Sequence, residues 1–518
     1  MKKIVSLFFV ASFFFSLAQP NPQTKKVTEK FFPDLDIEIN TPAFKKRKGF
    51  TKYTELIAFL DAAVASHSEF IQYSFIGSSQ KGKQIPVVTL TNGKSNKNKT
   101  KVWLQGGLHG DEPASTEGLL YLIDQLLNNP TERALLDDLL IQVVPMANID
   151  GYEKQNRHAA NGLDLNRDQT KLMAPESVLL KKAFSDFNPE VAVDFHEYRP
   201  YRRDFARMSD WGVTSAFDVM FLYSGNLNIP FDLRQYTTEA FVNPAKEKMD
   251  ELHLQHADYA STGDYLGDIH FNLGGSSPRS SASSYALSNC VSSLIEVRGV
   301  GIGRTSFKRR VFTTYSVALS YLHSSVKNAD KVQELLGRYN EMASDKVVLK
   351  SSRPILSGTM KMIDLSTNEY IELECVIHNA LQSRATFKRI RPTAYLLLPS
   401  ETAAAEKLKT LGVAVHELTE EKSIEVEAYT ISKYKRESYA YEGIHPQEVE
   451  TIIESQKVLF PKGSYVVLLN QERSNLAVSV LEPEVSSGFV HFEVIKAALG
   501  QELPVYRYTK AEELLGLN

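Results

Sequence analysis

A histidine and a glutamate three residues apart, in a glycine-rich turn behind a short apolar run, are the first side chains here that could do chemistry. They are His109 and Glu112 of GGLHGDE, residues 106–112. An imidazole nitrogen and a carboxylate oxygen are both good zinc ligands. The pair alone decides nothing, because the chain has 12 histidines and His445, in HPQE, also has a glutamate three residues on. Zinc in hydrolases is commonly held by two histidines and one carboxylate, with a fourth position left for water. His196, which closes the apolar run EVAVDF, is the candidate third ligand. Glu296, in SSLIEV, is a further reactive candidate, since a carboxylate in such a run is costly to bury without a partner or a role.

These residues need elements to hold them. Apolar residues at helical spacing predict a helix over Thr51–His67, and FIQYSFIG and QIPVVTLTN predict two strands joined by a turn. Trp103 opens a strand that runs into the glycine turn, and Ser115–Asn129 reads as an amphipathic helix stopped by Asn-Asn-Pro. LLIQVVPMAN, EVAVDF and VSSLIEV predict buried strands, ESVLLKKAFSDF a helix, and YSVALSYLHSSV and ADKVQELLGRYNEMAS two closing helices. Strands alternating with helices predict an α/β domain with a mixed, largely parallel sheet. Open sheets of that kind put ligand sites at the carboxyl ends of strands, where His109, His196 and Glu296 fall. Beyond this region YIELECVI, TAYLLLP, SIEVEAYTI, GSYVVLLN, FVHFEVI and ELPVYRY predict a β-rich texture, interrupted by one helical run, TAAAEKLKTLG. The expected organisation is a signal peptide over 1–18, a lead-in over 19–49, a catalytic domain over 50–345 and a β-rich accessory domain over 346–518.

The signal peptide rests on MKKIVSLFFVASFFFSLAQP, with Lys2 and Lys3, an apolar stretch, and Ser16 and Ala18 around a cleavage point after Ala18. The apolar stretch is shorter than the roughly 20 residues of a spanning helix, so a secreted or periplasmic protein without stable membrane insertion is expected. A net charge of −3 gives no reason to expect a nucleic acid partner. Cys290 and Cys375 are expected to be unpaired, because they fall in different expected domains.

The order HGDE, N-x-DG, Arg157, G-x-DLNRD, a strand ending in histidine and IEVR resembles the zinc carboxypeptidase A-like (funnelin) family, over roughly residues 50–330. The resemblance implies a carboxypeptidase fold with helices on both faces of the sheet and one zinc per chain at His109, Glu112 and His196. It further implies Glu296 as general base and Arg157 as the cation that polarises the scissile carbonyl. Asn166 and Arg167 match the clamp on the terminal carboxylate, and Asp164 the carboxylate behind His109. The implied substrates are peptide or protein C-termini. A zinc amidase acting on peptidoglycan stem peptides or N-acyl amino acids is the alternative, and an inactive binding module is disfavoured by the intact base and ligands. No tyrosine stands where the family carries one in a mobile loop; Tyr265 is too early and Tyr285 too late. The Gly/Ser-rich segment with Arg279 occupies that region, as a specificity loop or a connector. Asp194 and Glu197 are read as structural, and His445 is given no metal role.

Overall fold

The computed structural model describes residues 23–93 and 98–510, so the expected signal peptide lies outside the described residues. Its centre is an eight-stranded sheet in the order Ile71–Ser78, Gln84–Leu90, Leu139–Val144, Thr100–Gly106, Val191–Tyr198, Val291–Arg298, Val219–Leu222 and His256–Asp258. The four strands between Leu139 and Arg298 in that order run parallel, with antiparallel pairings on either side. The expected α/β fold with a mixed, largely parallel sheet therefore holds. Side chains alternate along a strand, and Trp103, fully buried, meets Phe184 of the helix Pro175–Phe187 edge-to-face at 5.8 Å. The helices Pro113–Asn128 and Phe307–Lys327 pack on each other beside the same strands.

Three further sheets follow the β-rich expectation for the C-terminal part. Five strands order as Val213–Ser215, Ile355–Asp364, Glu369–Asn379, Asp268–Leu273 and Ala260–Tyr265, so one sheet takes strands from both sides of residue 345. Lys346–Ser352 pairs with Arg384–Ile390, and a six-stranded sheet carries the long hairpin Lys422–Arg436/Gln447–Phe460. One buried cluster includes Leu180 and Phe184 together with Tyr395, Ala404 and Val467, which joins the parallel sheet to the C-terminal part. Cys290 and Cys375 are both free thiols. Among the described residues no helix is long and apolar enough to cross a membrane.

Two local expectations fail for identifiable reasons. FVHFEVI forms turns rather than a strand: the Phe489 N–H donates to Val480 O at 2.7 Å, folding the run onto the helix Ser474–Leu481. Its buried residues Phe489, Val490, Phe492 and Ile495 do not alternate, which a half-buried strand would require. The closing helix begins at Phe307 rather than Tyr315, because its first turns bury Arg309 against Asp218 and Arg310 against Glu197. Hydropathy conceals a helix whose inward face is two ion-paired arginines.

Candidate active site

Local backbone geometry brings the first two motifs together. A Cβ on Gly110 would fall 2.1 Å from the Gly151 carbonyl carbon, and one on Gly151 would fall 2.5 Å from Asn148 Nδ2. The glycines of HGDE and N-x-DG thus let two loops touch backbone to backbone, which seats Arg157 against His109. Gln105 and Gly106 pair with Asp194 and Phe195, so the strands Thr100–Gly106 and Val191–Tyr198 end side by side. His109 and His196 emerge from those neighbouring ends. Glu296 stands opposite His196 in the adjacent parallel strand.

His109, Glu112 and His196 converge in the interior, with exposures of 2%, 1% and 0%. Their ligand atoms all lie within 4.8 Å of one another. His109 Nδ1 is 2.7 Å from Glu112 Oε1, His196 Nδ1 is 2.8 Å from Glu112 Oε2, and the two Nδ1 atoms are 3.0 Å apart. Each outer nitrogen faces a carboxylate, His109 Nε2 toward Asp164 Oδ1 at 3.0 Å and His196 Nε2 toward Asp194 Oδ2 at 2.9 Å. That arrangement keeps the proton on Nε2 and turns both Nδ1 lone pairs to one point, as metal-ligating histidines require. The donor set of two imidazoles and one carboxylate, buried and with oriented rings, fits zinc. Burial opposes the charge on Glu112, but His109 and His196 outweigh it and hold the carboxyl far below its ordinary range. Burial likewise opposes a charged His196 ring, and Asp194 and Glu112 reverse the effect.

Asp164 is the junction of the site. Its Oδ1 accepts from His109 and from the Asn166 N–H at 2.8 Å, and its Oδ2 accepts from Arg157 Nε and Nη2 at 3.0 and 2.8 Å. Arg157 Nη1 reaches His109 Nδ1 at 3.2 Å. Asn166 Oδ1 accepts the Ser281 N–H at 2.8 Å, which leaves its amide nitrogen for the cavity. Asn166, Arg167, Arg157, His109 and Glu296 line one cavity of about 980 Å³. Glu296 is half-buried there, and its Oε2 is enclosed without a hydrogen-bond partner. Burial first, and the Glu112 charge second, push its carboxyl up to about 7.

Some residues of the site escaped the reading of the sequence. Asp194 lies two residues from His196 on the same face of its strand, and that period was the available signal. Glu197 faces the other way. It accepts the Ala114 N–H at 2.9 Å and two donors of Arg310 at 2.8 and 2.6 Å, pinning the helix that follows Glu112. Of the two tyrosines considered, Tyr285 is buried, stacked on Phe184 at 4.2 Å and away from the cavity, whereas Tyr265 lines it. Tyr259 also lines the cavity, as does the Gly/Ser segment through Gly274–Ser277, Arg279 and Ser280. Among the described residues His445 Nδ1 hydrogen-bonds only with the Glu437 carbonyl, at 3.0 Å.

Residues 56–241 match the family model described as zinc carboxypeptidase. Carboxypeptidase 2 of Trichophyton equinum is 29% identical over 470 residues, covering 89% of this chain and 87% of that protein. Carboxypeptidase 2 of Trichophyton rubrum aligns with the same identity and the same coverage. Among solved structures, the carboxypeptidase A of Helicoverpa armigera aligns at 18% identity with a TM-score of 0.42, covering 56% of this chain and 78% of that one.

Proposed function

We infer that this chain, whose residues 56–241 match the zinc carboxypeptidase model, is an exported metallocarboxypeptidase releasing residues from peptide C-termini. The observation that carries this reading is one cavity lined by His109 of the His109–Glu112–His196 donor set, by Glu296, and by Asn166 with Arg167. The chemistry expected of zinc at this site is polarisation of the scissile carbonyl and a lowered pKa for water. Glu296 takes the proton of the attacking water and passes it to the leaving amine. Arg157 brings a fixed cation to the carbonyl oxygen as charge develops there. Asp164 and Asp194 keep the ring protons on the outer nitrogens. Arg167 offers a planar fork to the terminal carboxylate, with the Asn166 amide beside it. Export rests on the N-terminal layout of paired lysines, apolar run and small residues.

The test is a mixed peptide library incubated with purified protein and read by mass spectrometry, with and without chelator. Ladders shortened from the C-terminus, abolished by chelator, are expected. Arg167→Ala should cost far more on peptides with a free C-terminal carboxylate than on the same peptides amidated. Cleavage of internal bonds or amidated ends as fast as of free acids refutes the exopeptidase reading and favours the amidase one.

A further inference from the structure

The cavity over the donor set is more cationic than one chain end needs. Seven arginines line it against four carboxylates, in a chain whose net charge is −3. Two of those carboxylates are already engaged, Glu197 by Arg310 and Asp204 by Arg202 and Thr262. Glu296 and Asp111 remain. A concave surface of one sign concentrates ligands of the other.

Arg279 is the most informative of these arginines. Its loop is stitched to the segment that carries Asn166 and Arg167, because the Gln169 N–H donates to Arg279 O at 3.3 Å and the Ser281 N–H donates to Asn166 Oδ1 at 2.8 Å. Its guanidinium lies over the Tyr441 ring at 4.9 Å. Tyr441 comes from the tip of the hairpin Lys422–Arg436/Gln447–Phe460, and that tip is fixed on the site, since Glu442 Oε2 accepts the Asp164 N–H at 2.8 Å. Among the described residues no carboxylate accepts a hydrogen bond from the Arg279 side chain. Arg279 is half-buried, and burial outweighs the favourable pull of Tyr441, Asp164 and Glu442 and, with the Arg167 charge, acts against its proton. A cation drawn partly out of water, stacked on one face and hydrogen-bonded to no carboxylate among the described residues, can receive an anion from outside.

Which anion follows from stoichiometry. One arginine fork satisfies both oxygens of one carboxylate, and in the reading above Arg167 with Asn166 already holds the chain end. A second fork in the same cavity, on a loop hydrogen-bonded to Asn166, can take a second carboxylate of the same terminal residue. The apolar wall of Met220, Leu222 and Leu294 can take the methylenes between the two. We propose that Arg279, oriented by Tyr441, is a specificity-determining residue that receives the side-chain carboxylate of a C-terminal Glu or Asp. This rests on the carboxypeptidase reading and names the substrate class of that site.

The test compares kcat/KM of the zinc-loaded enzyme on matched blocked peptides that differ only in the last residue, Glu, Gln, Leu or Lys. Glu should exceed its isostere Gln by about 10- to 100-fold, the worth of a hydrogen-bonded charge partner, and Lys should be the poorest. Arg279→Gln should collapse the Glu-to-Gln ratio toward one, with the loss concentrated on the acidic substrate. Arg279→Lys, which keeps the charge and loses the fork, should retain part of the ratio, and Tyr441→Leu should reduce it less than Arg279→Gln. A wild-type enzyme that prefers Leu, or treats Glu and Gln alike, overturns the proposal. So does an Arg279→Gln variant that loses all substrates in equal proportion, which would move Arg279 to the α-carboxylate. Failure of the underlying reading looks different, because no member of the set would then release its last residue.

Discussion

Replacing Glu296 by Gln should cripple turnover and at the same time stabilise the zinc-free protein. The catalytic loss follows from removing the proton acceptor while keeping its shape, on the order of 10²–10⁴-fold in kcat. The stability gain follows from the electrostatics of the site. Glu296 has one oxygen enclosed without a partner, and burial with the Glu112 charge moves its carboxyl from 4.5 up to about 7. A carboxyl raised in the folded state binds its proton more tightly folded than unfolded. Its contribution to stability is therefore fully present below about 4.5 and is lost as pH rises through about 7. The displacement corresponds to at most about 3 kcal/mol above that window. Water at the exposed oxygen, and the cost of burying an amide, reduce the expected gain to about 1–2 kcal/mol. Gln is the neutral mimic, so the variant should match wild type at about pH 4.5 and exceed it at about pH 8. Denaturant unfolding of chelator-treated protein at both pH values reads the difference. An advantage equal at the two pH values, or none at the higher one, refutes the electrostatic argument. A Glu296→Gln variant with undiminished turnover would refute the base assignment independently.

Other consequences are simpler to state. Asp194→Ala should lower zinc affinity by about 10- to 100-fold, because His196 loses the partner that fixes its ring proton; chelator competition measures it, and unchanged affinity would return Asp194 to a structural role. Arg310→Met removes the cation from a buried pair with Glu197 and should cost about 3–5 kcal/mol above pH 7, and less in acid where Glu197 can take up a proton; equilibrium unfolding across pH checks both parts. His445→Ala should leave zinc content unchanged by metal analysis, since among the described residues its ring hydrogen-bonds only with a backbone carbonyl.

What the sequence made legible, and what it hid, divide along the distance over which an interaction acts. HGDE, N-x-DG and DLNR could be read because each packs several polar or charged groups of the site within four residues. The contact of Gly110 with Gly151 shows why the first glycine belongs to the pattern: a side chain at Gly110 would strike the backbone of Gly151 and Tyr152. The sheet was legible because its central strands are continuous apolar runs, buried on both faces. Asp194 was visible in principle, two residues before His196 on the same strand face, yet an acid beside a histidine carries no label saying which of them orients the other. The start of the helix at Phe307 was hidden because its inward face is Arg309 and Arg310, whose burial depends on Asp218 and Glu197 far away in sequence. The hairpin tip is the extreme case. Glu442 meets the Asp164 N–H and Tyr441 meets Arg279 across 278 and 162 residues of chain, in a segment with no apolar periodicity to place it. Only folding brings them there. The tip thereby hydrogen-bonds a residue whose carboxylate meets both His109 and Arg157, so Glu442→Ala should disturb that pair, read as a change in activity with the fold retained.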